Sequence, residues 1–313
     1  MIRIRTLIVG VLPLIAIGLW SVETYGRDRL PLQKTEFEFA SPTGASTEFA
    51  GYDREGKPIY YDPKPRIIAL GQGRYAFKWF NPDGRESTSV FERPDAIDLV
   101  VEAHTSLTPD RTIEYCYRVK NLPSSHLRLG SFVVQTFASG ATGKPQSGVY
   151  IGKMTNLVNE FNEGNWLRFG MLGRNKKQVP PGEALEFVVA SMDLPGLVEC
   201  RAHGGTLETK GGGEMPPILA EQLPRHKVWP HGWTIGPDER LAKMSVEERL
   251  KYLVERLPKM LELGWIENDK VMGWYETNLK AGKAAEVRAR AAADFKKNLV
   301  TSEVLALMTY LTR

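Results

Sequence analysis

The chain has 313 residues, 42% of them hydrophobic and 25% charged, which is the make-up of a globular protein and excludes collagen-like and low-complexity chains. Its 41 Lys and Arg against 37 Asp and Glu leave a formal net charge of +4. That balance is too even for the clustered basic face of a nucleic-acid binder, so no nucleic-acid partner is expected.

Arg3 and Arg5 precede an apolar run from Thr6 to Trp20, and no charge follows until Glu23. A secretory apolar segment takes about 7–15 residues and a full span about 20, so the run fits an export signal or an anchor. Pro13 favours a cleavable signal over a packed transmembrane helix, and Thr24-Tyr-Gly26 offers a small-x-small cleavage site. Residues 1–26 are therefore expected to be a signal peptide or membrane anchor, with cleavage left open. Any membrane link would run through this segment alone. The rest of the chain would then be periplasmic, envelope-anchored or extracellular.

Residues 27–50 are polar and carry the cluster Ser41-Pro-Thr-Gly-Ala-Ser-Thr47, which suggests a tether. From residue 51 to 202, short strand-like segments alternate with turns. They are Pro58–Tyr61, Arg74–Phe80, Ala96–Glu102, Thr112–Lys120, Ser131–Phe137, Trp166–Met171 and Ala184–Ala190. Asn81-Pro-Asp-Gly84 and Pro180-Pro-Gly182 supply turn chemistry between them. This pattern predicts an antiparallel β-sandwich, immunoglobulin-like or jelly-roll-like, with one face of each strand on the core. Tyr75, Phe77 and Trp79 share a face and are expected in the core. Where the aromatics of the two neighbouring strands, Tyr60, Tyr61, Tyr75, Phe77, Trp79 and Phe80, are exposed, they could stack on a sugar ring or receive a partner strand or loop. Tyr60, Tyr61, Trp229 and Trp233 are the candidate binding-surface aromatics.

Cys116 and Cys200 both fall in strand-like segments, and an exported protein can pair them. A bridge would close a loop of roughly 80 residues, worth about 4–5 kcal/mol in the loop-entropy picture. Alternation, however, puts Cys116 with Glu114, Arg118 and Lys120 on the face away from the core. A disulfide and two separate thiols both remain open.

Residues 203–244 form a Gly-, Pro- and Trp-rich connection in which only a turn or two of helix, Ile218–Leu223, is suggested. After it the period turns helical. Ser245 and Glu248 match a capping box, and Val246, Leu250, Leu253, Leu257 and Leu261 make an apolar stripe. Pro258 should kink or divide this helix and Gly264 should end it. Asn268 or Asp269 caps a second helix running to Leu279, and Ala284–Leu299 and Ser302–Leu311 give two more. Helices this short must pack on one another or on the sandwich, so residues 245–313 read as a bundle of three or four with Trp265 and Trp274 in its core.

Tyr115-x-Tyr117-x-Val119-x-Asn121-x-Pro123-x-Ser125, then Leu129, Phe132 and Val134, and later Pro181-Gly182, Ser191 and Leu194-Pro-Gly-Leu197 resemble the β-sandwich of a loosely defined class of exported bacterial proteins of unknown function. Pro216 to Pro224 with Thr234-Ile-Gly-Pro237 is similar to the join that often follows it. Leu261-x-x-Gly264-Trp-Ile-x-Asn268, with Leu279, Ala281, Ala292, Phe295, Val304 and Leu307, is similar to the small helical module called FIMAH. The likeness spans about 112–311, is irregular at 281–290, and covers none of 27–111. It implies a structural or adhesive role outside the cytoplasm and brings no catalytic residues.

One metal set stands out. Cys200-x-x-His203 with His226 and His231 offers four nitrogen and sulfur ligands for tetrahedral zinc, against the plainer reading of histidines in loops. Gly140-Ala-Thr-Gly-Lys144 lacks the first glycine of a phosphate loop and has Pro145 where Ser or Thr belongs. Asp95, Asp98 and Glu102 could act as paired carboxylates in glycoside hydrolysis, although solvated outer-face charges explain them as well. The expected function is thus a non-catalytic exported structural or binding protein with a protein or cell-surface partner. The alternatives are an extracytoplasmic hydrolase or carbohydrate-active enzyme, and a zinc-binding module.

Overall fold

A computed structural model describes residues 29–35, 39, 49–60, 65–71, 73–81, 83–93, 96–147, 149–153, 165–171, 178–204, 207–210, 215–223 and 229–313. The expected leader lies outside these residues.

Strands β1 (Phe49–Tyr52) and β2 (Pro58–Tyr60) form a hairpin, and β3 (Arg66–Gly71), β4 (Arg74–Phe80) and β5 (Glu86–Glu92) a meander. Then follow β6 (Leu99–Leu107), β7 (Ile113–Asn121), β8 (Leu129–Thr136), β9 (Thr142–Gly143), β10 (Tyr150–Lys153), β11 (Asn165–Gly170), β12 (Ala184–Ser191), β13 (Leu194–Gly204) and β14 (Leu207–Lys210). A short helix α1 (Pro217–Ala220) leads to β15 (His231–Asp238) and α2 (Glu239–Ala242). The chain ends in α3 (Val246–Glu262), α4 (Asp269–Lys280), α5 (Ala284–Lys296) and α6 (Ser302–Leu311).

The protein is an antiparallel β-sandwich followed by a helical region. One sheet has the order β10-β11-β8-β13-β15 and the other β6-β7-β12-β9. Strict alternation on β7 explains how they meet. Ile113, Tyr115, Tyr117 and Val119 are buried, while Glu114, Cys116, Arg118 and Lys120 point the other way. Between the sheets, the ring of Phe187 lies 5.4 Å from Phe132 and 4.9 Å from Phe169. These spacings are the favourable range for aromatic pairs and weld the two layers.

The strands before residue 93 do not belong to this sandwich, contrary to the single 51–202 unit expected. They form a separate sheet, β14-β5-β4-β3, around Phe77, Trp79, Phe91 and Leu219, with Phe39 and Tyr75 packed on it. Alternation says that a strand has a buried face but not which sheet it joins, and β14 comes from a glycine-rich stretch that reads as a hinge.

The stretch expected to be irregular supplies β15, which pairs with β13 over eight residues. Its glycines answer close neighbours rather than turns. A Cβ on Gly236 would lie 2.8 Å from Cγ2 of Val198 and 3.0 Å from the Gln135 carbonyl, and one on Gly232 would lie 2.6 Å from Cδ2 of Leu32.

Residues 29–34 are a strap and not the tether expected. Leu32 donates its N–H to the Leu99 carbonyl at 2.8 Å, and Gln33 and His231 exchange both backbone bonds at 2.8 and 2.9 Å. The strap thus bridges the edge strands β6 and β15, buries Leu32 between them and blunts two exposed edges.

In the helical region the capping box is present, with Ser245 Oγ accepting from the Glu248 N–H and the Glu248 carboxylate from the Ser245 N–H. Pro258 does not divide α3, which keeps Leu250, Leu253, Leu257 and Met260 in one buried stripe. Gly264 ends the turn after it at φ +68°, and Asn268 caps α4. The apolar side of α6 lies on β6 and β13. Val304, Leu307, Met308 and Leu311 share one core with the sandwich residues Val101, Leu197 and Ile235.

Candidate binding site

The outer face of the five-stranded sheet carries the chemistry. Cross-strand register sets Arg201 beside His231 and Glu199 beside Trp233. It also sets Val133 beside both Arg201 and Arg168, and Gln135 beside Trp166. With a side-chain period of two, these groups share one face. Every residue of β8 is buried, so much of this outer face is covered as well as the inner one.

At its centre Val133, Trp166 and Trp229 form a small apolar cluster. The His203 ring lies 4.1 Å from the Trp229 ring. The Arg168 guanidinium carbon sits 5.9 Å from that ring, and Arg168 Nε donates to Ser131 Oγ at 2.9 Å. Burial holds the Arg168 pKa below its ordinary value. Arg201 pairs with Glu199 at 3.4 Å, and their side chains are only 13% and 15% exposed. The Gln135 amide oxygen accepts from the Glu199 N–H at 3.0 Å.

Toward the β15 edge this face opens into a cleft of about 240 Å³. It is lined by His231, Gly232 and Trp233 of β15, by Val101, by the strap from Arg29 to Gln33, and by Glu262, Leu263 and Trp265 at and beyond the end of α3. Lys259 Nζ lies 5.7 Å from the Trp233 ring and 2.7 Å from a Glu262 carboxylate oxygen. Burial and the neighbouring Arg201 charge push the His231 pKa down, which favours the neutral imidazole.

The proposed zinc set is not brought together. Cys200 is fully buried in the core between the sheets. His203, three residues along the same strand, points to the opposite face and packs on Trp229. His231 stands at the edge beside Arg201, and His226 lies outside the described residues. Among the described residues no group of three or more His, Cys, Asp or Glu side chains is placed to hold a metal ion.

Nor does the candidate disulfide form: both cysteines are free. Cys116 lies on the outer side of the four-stranded sheet and Cys200 inside the sandwich, so β7 itself separates them. Burial pushes the Cys200 thiol well up; burial, then Glu114 and Glu186, push that of Cys116 up to about 11.

Of the candidate aromatics, Trp229 is buried and Trp233 half-buried at the cleft. Tyr60 is described only as part of β2, and Tyr61 lies outside the described residues, as does Asp95. Asp98 precedes β6 and pairs with Lys34 at 2.6 Å, whose hydrogen bond holds its carboxyl below the usual range. Glu102 stands opposite Arg118 in the register. Lys144, which follows Gly140 and Gly143, pairs with Glu114. Sequence reasoning missed Trp166, Arg168, Glu199, Arg201 and the strap. The alternation of Glu199, Arg201 and His203 was the available signal for the β13 face.

No family model matches the chain, and no curated protein does. Among solved structures it is similar over 42% of its length to an uncharacterized protein from Nocardia farcinica whose crystal structure reveals an immunoglobulin-like fold. That match covers 95% of the other chain at 15% identity with a TM-score of 0.26.

Proposed function

We propose that this is a non-catalytic exported binding protein of the bacterial cell envelope or exterior, and that the β15 edge is its binding site. One observation carries the reading: the concave edge where Trp233 and His231 of the sandwich meet the strap and the α3 turn. Binding sites favour such concave junctions, with aromatic walls and a few convergent polar groups. The Arg3, Arg5 and Thr6–Trp20 pattern supports export, and the resemblance of residues 112–311 to exported sandwich proteins with a terminal helical module supports an adhesive or structural role.

The test is affinity capture with the full chain, wild type against a Trp233→Ala/His231→Ala variant, combined with cell fractionation. A partner from outside the cytoplasm that the wild type holds and the variant releases supports the reading. Equal capture by both proteins, or a cytoplasmic location, overturns it.

A further inference from the structure

We infer that the cleft at the β15 edge binds one neutral sugar ring of a saccharide. This deepens the proposed function by naming the ligand chemistry of that same site. Three observations lead there.

The first is size. About 240 Å³ falls below the ~300–1,000 Å³ that drug-sized ligands occupy, leaving room for one substituted six-membered ring.

The second is the nature of the walls. Trp233, half-buried, lines the cleft as the aromatic residue with exposed surface, the buried Trp265 backs it from the core, and Leu30 at the lip is 60% exposed. Indole faces suit the C–H face of a sugar ring, which is apolar while its edge is polar. The edge hydroxyls then need partners, and Gln33, Glu262 and His231, three residues with polar side chains, are among those that line the space. A wholly apolar occupant would strip water from these three groups without replacing their hydrogen bonds, at a cost that grows with burial.

The third is charge. The cations at this site already have partners: Lys259 lies over Trp233 and pairs with Glu262, and Arg29 pairs with Glu303. A cationic ligand would be repelled by Lys259 and an anionic one by Glu262, whereas a neutral polyhydroxylated ring carries no charge for either to repel. Because the strap forms one wall, the site exists only with residues 29–33 in place.

The test titrates the full chain with a panel of neutral disaccharides (cellobiose, maltose, mannobiose and N,N′-diacetylchitobiose). Tryptophan fluorescence and saturation-transfer NMR report binding. At least one member is expected to bind, with affinity falling roughly tenfold in Trp233→Ala, about 1.4 kcal/mol, and also falling in Glu262→Gln. Trp233→Phe should retain part of it, and Val246→Ala, on the exposed side of α3, should leave it unchanged. No binding by any member at about 10 mM, or binding indifferent to Trp233→Ala in a protein of unchanged circular dichroism, overturns the inference. If no sugar binds but a captured protein partner is still lost in the Trp233→Ala/His231→Ala variant, the sugar ligand is wrong and the binding site stands.

Discussion

Arg29 Nη1 lies 2.8 Å from Oε2 of Glu303, and the two side chains are 11% and 1% exposed. The other Glu303 oxygen accepts the Ala103 N–H at 2.7 Å, and the carboxylate sits in the first turn of α6, where the helix dipole favours a negative charge. Strap, sandwich and terminal helix are therefore fastened at one buried carboxylate. Removing one partner of a buried pair strands the other, at about 3–5 kcal/mol. Arg29→Ala should lower the urea unfolding free energy by about 3 kcal/mol. A loss below about 1 kcal/mol would mean that the pair does not clamp the strap.

The two β15 glycines should differ in what they tolerate. At Gly236 a methyl group meets Val198 and the backbone oxygen of Gln135, which cannot rotate away; at Gly232 it meets the tip of the Leu32 side chain. Gly236→Ala should cost about 1–3 kcal/mol as overpacking. Gly232→Ala should cost less while making the strap easier to cleave in limited proteolysis.

How much of this was legible in the sequence differs by element. The β7 alternation and the Ser245–Glu248 box are local patterns, and the structure has both. The β15 strand was hidden because Gly232, Gly236 and Pro237 look like turn residues, whereas the reason for the glycines is Leu32 and Val198, far away in the chain. The strap shows only Leu30 and Leu32 around a proline in a polar stretch, and its bonds go to Leu99 and His231, beyond the reach of any local pattern. Cys200 and His203 look like ligands at metal spacing only while the strand is taken to end before His203, whereas β13 runs on to Gly204. On a strand, three residues apart means opposite faces. The cleft joins four distant segments, and only Trp233 and His231 stand out in the sequence as candidates.

His231 should give stability a pH dependence of known sign. Its folded pKa is lowered by burial and by Arg201, so the unfolded chain, with an ordinary value near ~6.5, takes up the proton first. Stability should be at its plateau above about pH 6.5 and decline as pH falls below it. The lowered carboxyls such as Asp98 add their own loss only further down, through the ordinary carboxylate range. Denaturation midpoints of wild type and His231→Asn between pH 7.5 and 5 check this: the variant should show the shallower slope, and parallel curves would refute the assignment.

Thiol chemistry separates the two cysteines. With Cys200 fully buried and the Cys116 thiol raised to about 11, a thiol reagent at neutral pH should label native Cys116 slowly and Cys200 hardly at all. Two thiols should react once the chain is unfolded without reductant. None reacting would mean that a disulfide forms.

The most direct measurement places a photo-activated cross-linking residue at Leu30, on the lip of the cleft, in full-length protein in living cells. Met192, 75% exposed beside the opposite end of the β13–β15 ladder, serves as the control position. The account predicts an adduct to a molecule outside the cytoplasm from Leu30 and not from Met192, abolished by Trp233→Ala. Adducts to cytoplasmic proteins, or a Leu30 pattern unchanged by Trp233→Ala, would contradict it.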